Sequence, residues 1–219
     1  MKHAALGLSL ALALGSSPAF ADGDGEAAGR RASRPEKSDW ELVATGYWNA
    51  PREGDSYATG IFVADRGALH LEGRVNYEAV DARSLFVGWT FSLGREEGLN
   101  LEITPIVGGV TGDVRGPIAG FEATLAKGAF DFYVEAEYVH DGGAKESSYT
   151  YAWSELGYRP MENLRLGLVG QRTRAYGEER EFQRGPFAQL RYRAVTAGLY
   201  WFNPGSAQQV VVGSIAIAF

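Results

Sequence analysis

Apolar and polar residues alternate one by one along much of this chain, and this constrains its fold more than any other feature. From Leu69 to Glu78, apolar residues or glycine occupy the odd positions, whereas histidine, glutamate, arginine and asparagine occupy the even ones. Successive side chains of a β-strand point to opposite faces, so the pattern predicts a strand with one apolar and one polar face. The alternation recurs at 132–138, 164–169 and 188–193. No useful window keeps the 3.6-residue period of an amphipathic helix.

Alternation and turn residues together predict about twelve strands, with ten as the alternative count. The 29 glycines and the 12% of aromatic residues suit a chain rich in strands and turns. We therefore expect an all-β, up-and-down antiparallel barrel. The predicted strands lie near 39–49, 56–65, 68–78, 84–93, 99–109, 116–126, 130–140, 148–158, 163–173, 185–194, 196–203 and 208–219.

The first residues have the three parts of a secretory signal peptide. Lys2 precedes an apolar run from Ala4 to Leu14, and Ala19-Phe20-Ala21 provides a small-residue cleavage site. The run is short for a membrane anchor, which needs roughly 20 apolar residues. We therefore predict a signal peptide over 1–21, a flexible periplasmic tail over 22–38 and a barrel over 39–219.

Composition excludes several classes of function. The chain has no cysteine, which removes thiol catalysis, cysteine-bound zinc and iron–sulfur clusters. A formal charge of −6 gives no support for nucleic-acid binding. No apolar run beyond the N-terminus is long enough for a bundle of membrane helices.

Tight and long connections between the predicted strands alternate. The tight ones lie at 65–67, 127–128 and 193–194, and the long polar ones at 50–55, 111–115, 141–147 and 173–181. A membrane barrel has short periplasmic turns and longer external loops. The pattern therefore predicts that the first strand runs outward from the periplasm.

Alternation alone also fits a soluble barrel with apolar residues inside. The positions of the aromatic residues favour the membrane alternative, because they collect near the predicted strand ends as two interfacial belts would. We predict an outer belt of Tyr47, Trp48, Tyr57, Tyr138, Tyr149, Tyr151, Tyr200, Trp201 and Phe202, and an inner belt of Phe91, Phe130, Phe132, Tyr158 and Tyr192. Pro105 fits badly because it removes a ladder donor in mid-strand, and we expect a β-bulge between Pro105 and Gly109.

The last predicted strand carries Val211, Gly213, Ile215 and Ile217 on one face and ends at Phe219. This resembles the C-terminal signature of Gram-negative outer-membrane β-barrel proteins. The resemblance implies a location in the cell outer membrane, among its lipids and lipopolysaccharide. It also implies that Phe219 is part of the assembly signal read by the barrel-assembly machinery.

The predicted polar faces carry ionisable side chains of both signs. A barrel of twelve strands is intermediate in size between barrels filled by side chains and barrels with an open channel, so these side chains would line a narrow lumen. One interpretation is a transverse field at a constriction that orients small polar solutes. The other is a network of ion pairs that closes and stiffens the barrel. The candidates are His70, Glu72, Arg74, Glu102, Glu122, Glu135, Glu137, Glu155, Arg165, Arg191 and Arg193.

These observations predict a narrow passive channel for small polar solutes, with a non-conducting structural or surface-interaction barrel as the alternative. A lipid hydrolase is the third reading, but neither His70 nor His140 has a serine two residues away, as in outer-membrane lipases. His70 beside Glu72 could act as a polarised base or as half a metal site, although a hydrogen-bonded lumenal histidine explains it as well. We therefore predict no catalytic residues, no metal ligands and no cofactor.

Overall fold

The computed structural model describes residues 39–79, 81–94, 98–143, 148–175 and 181–219, so the predicted signal peptide and tail lie outside the described residues. The described chain forms thirteen β-strands. They are β1 (Glu41–Pro51), β2 (Tyr57–Arg66), β3 (Leu69–Val75), β4 (Arg83–Trp89), β5 (Phe91–Gly94), β6 (Asn100–Thr111), β7 (Gly116–Lys127), β8 (Phe130–Val139), β9 (Tyr149–Met161), β10 (Leu164–Ala175), β11 (Glu181–Tyr192), β12 (Val195–Phe202) and β13 (Val210–Ala218).

The strands form one closed antiparallel barrel, which confirms the predicted fold class. Consecutive strands pair as neighbours, and the first and last strands close the sheet from Val43 opposite Ala218 to Pro51 opposite Val210. β4 and β5 both pair with β6, and Thr90 separates them. They occupy one position in the wall, so the barrel has twelve strands, one of them interrupted.

The interruption lies opposite Pro105, where we expected a bulge. Gly88 pairs with Ile106 on one side of the gap and Phe91 with Ile103 on the other, so the register does not change across it. The β6–β7 register is also constant from Asn100 to Val110. The bulge prediction is therefore wrong. A proline has no N–H to donate, and the sheet accommodates it by a break in the partner strand.

Connections at the two ends of the barrel differ in length. Four of those at one end have two residues, at 67–68, 128–129, 162–163 and 193–194. Those at the other end are longer, such as 52–56, 112–115 and 203–209. We call the first end the tight-turn end; it is the end that the sequence assigns to the periplasm.

The outer surface of the barrel is apolar. Leu85 is 74% exposed, Leu168 63% and Val107 58%, and large apolar side chains on other strands are exposed in the same way. Charged side chains, in contrast, are buried inside, with Glu135 and Glu155 at 0% exposure. In a closed barrel each strand pairs on both sides, so the backbone N–H and C=O groups are hydrogen-bonded within the sheet. The apolar outer face of this barrel can then contact lipid. The protein is therefore a transmembrane barrel of the outer-membrane type.

No helix in the described part of the chain is long and apolar enough to cross a membrane.

The predicted aromatic belts are correct at one end and partly wrong at the other. All members of the inner belt face outward, with exposures from 41% for Phe132 to 69% for Tyr192. In the outer belt, Trp48, Tyr138 and Trp201 face outward. Five other members of the outer belt are buried inside the barrel, because adjacent residues of a strand point to opposite faces. They are Tyr47, Tyr149, Tyr151, Tyr200 and Phe202.

Tyr77 differs from its expected position on the apolar outer face of β3. The strand ends at Val75, and Asn76 adopts a positive φ of 55°. Asparagine tolerates this left-handed conformation better than most residues. The alternation is therefore broken at Asn76, and the Tyr77 side chain is fully buried inside the barrel.

Candidate functional site

The barrel interior holds two clusters of charged side chains. The first, the Arg74 cluster, consists of Glu72 and Arg74 on β3, Glu135 and Glu137 on β8, and Glu78 in the connection after β3. β3 and β8 are separated in the wall by β4, β6 and β7, so these side chains meet across the lumen.

Four carboxylates surround the Arg74 guanidinium. Its Nε lies 2.5 Å from Glu72 Oε1, its Nη2 lies 3.2 Å from Glu135 Oε1, and its Nη1 lies 2.7 Å from Glu137 Oε1. Glu78 Oε1 is 3.7 Å from Nη1. The side-chain exposures of all five residues are between 0% and 2%. The five side chains are therefore shielded from solvent, and the cluster holds four carboxyl groups for one guanidinium.

Aromatic rings hold the Arg74 cluster in place. The guanidinium carbon lies 4.3 Å from the ring centres of both Tyr77 and Phe86. The Tyr77 hydroxyl donates to the Glu135 carboxylate at 3.1 Å, and the Tyr149 hydroxyl donates to the Glu78 carbonyl oxygen at 2.9 Å. These contacts fix the guanidinium by cation–π interaction and fix the carboxylates by hydrogen bonds.

The second cluster, the Arg165 cluster, lies on four neighbouring strands nearer the tight-turn end. Arg165 on β10 forms ion pairs with Asp131 on β8 and Glu155 on β9, and its Nη1 donates to Gln189 Oε1 on β11 at 3.0 Å. Arg159 Nη1 lies 2.5 Å from Asp131 Oδ2. Two guanidiniums thus face two carboxylates, and this cluster is balanced in charge.

Packed aromatic rings fill the interior beside the Arg165 cluster. The Trp153 ring makes edge contacts with Tyr200 at 5.7 Å and with Phe202 at 5.5 Å between centroids, and all three residues are fully buried. Trp153 Nε1 donates to Glu155 Oε1 at 3.1 Å. The interior is therefore filled by side chains at this level as well, like that of a smaller barrel.

A third group, the His70 group, consists of Asp65 on β2, His70 and Glu72 on β3, and Glu122 on β7. His70 Nδ1 lies 2.7 Å from Asp65 Oδ1, and Nε2 lies 3.5 Å from Glu72 Oε2. One ligand atom from each of His70, Glu72 and Glu122 can be chosen so that all three lie within 4.8 Å of one another. These are the residues in the described part of the chain that could together hold a metal ion.

The structure brings together most of the residues singled out from the sequence. Glu72, Arg74, Glu135 and Glu137 meet in one cluster, Glu155 and Arg165 in another, and His70 and Glu122 lie beside the first. Glu102 is half-buried and accepts a hydrogen bond from Ser92 at 3.4 Å.

Arg191 and Arg193 do not belong to the interior clusters. Both are exposed, Arg191 near the end of β11 and Arg193 in the following turn, where its φ is 54°. Arg191 has the inward parity of Gln189, but it is the last inward position of β11 and lies beside the turn, where the side chain is open to solvent. The expected basic arc is therefore limited to Arg165, with Arg159 beside it.

The sequence analysis missed five interior residues. Asp131 and Arg159 have the same strand parity as Glu135 and Glu155, so the alternation could have found them. Gln189 was placed on the polar face but not selected because it carries no charge. Tyr77 and Glu78 lie beyond the end of β3, so the alternation placed Tyr77 on the wrong face, and Glu78 was placed on the polar face but not selected.

Ser147 and Ser148 follow His140 in the chain, and a histidine hydrogen-bonded to a serine would be needed for a hydrolase. The His140 ring packs 6.4 Å from the Tyr138 ring, and the Ser148 hydroxyl accepts a hydrogen bond from the Asp141 N–H at 3.0 Å. Ser147 lies outside the described residues. The described contacts around His140 therefore include no hydrogen bond between its ring and a serine hydroxyl.

No family model matches the chain, and no curated protein matches it. Among solved structures, the NanC porin has a TM-score of 0.53 at 8% identity, with 81% of this chain and 98% of that chain covered. OccK5 (OpdH) of Pseudomonas aeruginosa has a TM-score of 0.42 at 11% identity, covering 84% of this chain and 68% of that chain. A mutant of the Rh. blastica porin has a TM-score of 0.34 at 9% identity, covering 82% and 98%. The similarity to NanC shows a shared barrel fold.

Proposed function

We propose that this outer-membrane barrel is a narrow channel for small polar solutes, that it prefers cations, and that the Arg74 cluster is its constriction. The excess of carboxylates is the observation that supports this proposal: four of them surround one guanidinium. A network that only stiffens the wall has no need of excess charge, and buried ion pairs are weak contributors to stability. Acidic constrictions favour cations in channels.

Passage through this constriction requires a movement of the Arg74 side chain. The guanidinium lies between β3 and β8 and contacts carboxylates of both, with side-chain exposures of 0–2%. Displacement of the guanidinium would leave a lumen lined by Glu72, Glu135 and Glu137. We therefore expect the channel to be closed most of the time, with short openings that select for cations.

Planar-bilayer recording of the purified protein tests this proposal. We expect brief conductance steps for the natural protein, and longer and larger steps for Arg74→Ser, because serine cannot fill the space between the carboxylates. Glu135→Gln should reduce the cation preference measured as a reversal potential in a salt gradient. Arg191→Ser is the matched control, since Arg191 is exposed near the end of β11. Silent bilayers for both the natural protein and a correctly folded Arg74→Ser protein would refute the channel.

A non-conducting structural barrel is the second candidate, and the packed rings of Trp153, Tyr200 and Phe202 favour it. These residues fill the interior beside the Arg74 cluster, since Trp153 is the cross-strand partner of Glu135, and a charged constriction alone would not require them. Under this alternative, removal of Arg74 changes stability but produces no current. The bilayer experiment with Arg74→Ser therefore distinguishes the two candidates directly.

A further inference from the structure

We propose that the His70 group binds one divalent transition-metal ion inside the barrel, with His70, Glu72 and Glu122 as ligands. Imidazole nitrogen and carboxylate oxygen are ligands that Zn²⁺ and similar ions accept. The three residues come from two strands, β3 and β7, that are not neighbours in the wall. This inference does not depend on whether the barrel conducts.

The distances within the group suit a metal centre. A tetrahedral zinc ion with bonds near 2.0–2.1 Å holds its ligand atoms about 3.3 Å apart. His70 Nε2 and Glu72 Oε2 already lie 3.5 Å apart. One ligand atom of each of the three residues lies within 4.8 Å of the other two, so a bound ion would draw them about 1.5 Å closer at most.

Asp65 orients the histidine in the way that metal-binding histidines are usually oriented. Its carboxylate lies 2.7 Å from His70 Nδ1 and accepts the proton of that nitrogen. The other ring nitrogen, Nε2, faces Glu72 and is the nitrogen left for a metal ion. A carboxylate behind a ligating imidazole fixes the tautomer and raises the basicity of the ligand.

The two carboxylates of the group differ in their hydrogen bonds. Glu72 accepts hydrogen bonds from Arg74 at 2.5 and 3.2 Å. Within the described part of the chain, no hydrogen bond to the Glu122 carboxylate is present. A proton on Nε2 could serve one carboxylate, whereas a divalent ion would neutralise both and bind the nitrogen as well.

The His70 group lies toward the tight-turn end of the barrel, since His70 is the second residue of β3 and Asp65 is the last but one of β2. His70 itself is 5% exposed, but the Asp65 side chain behind it is 39% exposed. Asp65 is therefore the solvent-facing member of the group, and we expect an ion to enter from its side. A bound ion would connect β3 to β7 across the lumen.

Zinc titration tests this site. The full-length protein, purified in detergent without a histidine tag and stripped with a chelator, is titrated with Zn²⁺ and with Co²⁺. We expect one ion per barrel, with visible Co²⁺ absorption bands typical of nitrogen and oxygen ligands. Binding should be lost in His70→Gln and in Glu122→Gln. Asp65→Asn should weaken binding by about 10- to 100-fold, since Asp65 acts through the histidine.

The control is His140→Gln, which removes a histidine at the opposite end of the barrel and should leave binding unchanged. Heat-dependent migration in gel electrophoresis identifies variants that are folded, and only these are compared. Absence of Zn²⁺ binding by the natural protein would overturn the proposal and leave His70 as a charged bridge between Asp65 and Glu72. Equal binding by the natural protein and a folded Glu122→Gln protein would overturn it too.

Discussion

The Tyr77 hydroxyl donates a hydrogen bond to the Glu135 carboxylate at 3.1 Å, although the two residues are 58 positions apart in sequence. This contact connects the segment after β3 to the middle of β8 across the lumen. Because Glu135 also contacts Arg74 Nη2 at 3.2 Å, Tyr77 holds one wall of the Arg74 cluster. The loop residue thereby becomes part of the barrel interior.

Tyr77→Phe removes this hydrogen bond and keeps the ring that lies over Arg74. A hydrogen bond to a buried charged group contributes about 1.5–3 kcal/mol, so we expect the free energy of unfolding to fall by that amount. Denaturant unfolding in lipid vesicles measures the change. Tyr138→Phe makes the same substitution at a residue that is 48% exposed on the outer surface, and should have little effect. Equal effects of the two substitutions would show that Tyr77 does not support the cluster.

Arg165→Met leaves Asp131 and Glu155 without their shared partner inside the barrel. The loss of one member of a buried ion pair costs about 3–5 kcal/mol when the remaining charge is uncompensated, as that of Glu155 would be, whereas Asp131 keeps its contact with Arg159. We expect a loss of that size in the free energy of unfolding. Arg193→Met is the control: Arg193 is exposed in a turn, where a substitution changes stability by roughly 0.5 kcal/mol or less.

A stability loss for Arg165→Met no larger than that for Arg193→Met would contradict the described ion pairs. A triple substitution refines the test. Arg165→Met combined with Asp131→Leu and Glu155→Leu replaces the charges with apolar groups, and we expect it to recover part of the stability lost by Arg165→Met alone.

Gly157 makes space for the Arg165 cluster. A Cβ atom at this position would lie 2.5 Å from Arg165 Nε and 2.7 Å from Asp131 Oδ2. Gly157→Ala should therefore separate the two charged groups and lower the unfolding midpoint in denaturant. Gly213→Ala is the matched control in β13, since a Cβ there would have nothing within 4 Å. A Gly157→Ala protein as stable as the Gly213→Ala protein would show that Arg165 and Asp131 can move apart without a loss in the free energy of unfolding.

The sequence predicts the wall of this barrel better than its interior contacts. Period-two alternation at 164–169 correctly places Leu166 and Leu168 outside and Arg165 inside, because strand geometry alone decides the face of each residue. Tyr47 and Trp48 were assigned to one belt, yet adjacent residues of a strand must face opposite sides. The same rule that succeeded at Arg165 would have corrected that assignment.

Contacts across the lumen could not be predicted in this way. The approach of Arg74 on β3 to Glu135 on β8 depends on the closure of the whole sheet and on the stagger of its strands, neither of which is a local property. The position of Tyr77 depends on one positive φ at Asn76. Local patterns therefore predict which residues face inward, and the closed barrel decides which of them meet.

Tryptophan fluorescence tests the orientation on which the membrane assignment depends. Trp89 is 54% exposed on the outer surface, whereas Trp153 is 0% exposed inside the barrel. In single-tryptophan proteins, with the other four replaced by phenylalanine, lipids brominated on their acyl chains should quench Trp89 strongly and Trp153 weakly, because quenching requires contact with the chains. Trp48 is 57% exposed and lies near the end of β1 that precedes the longer connection 52–56. It should therefore be quenched most by bromines placed close to the headgroup. Strong quenching of Trp153 together with weak quenching of Trp89 would contradict this orientation. It would show that the face assigned to the lumen contacts lipid.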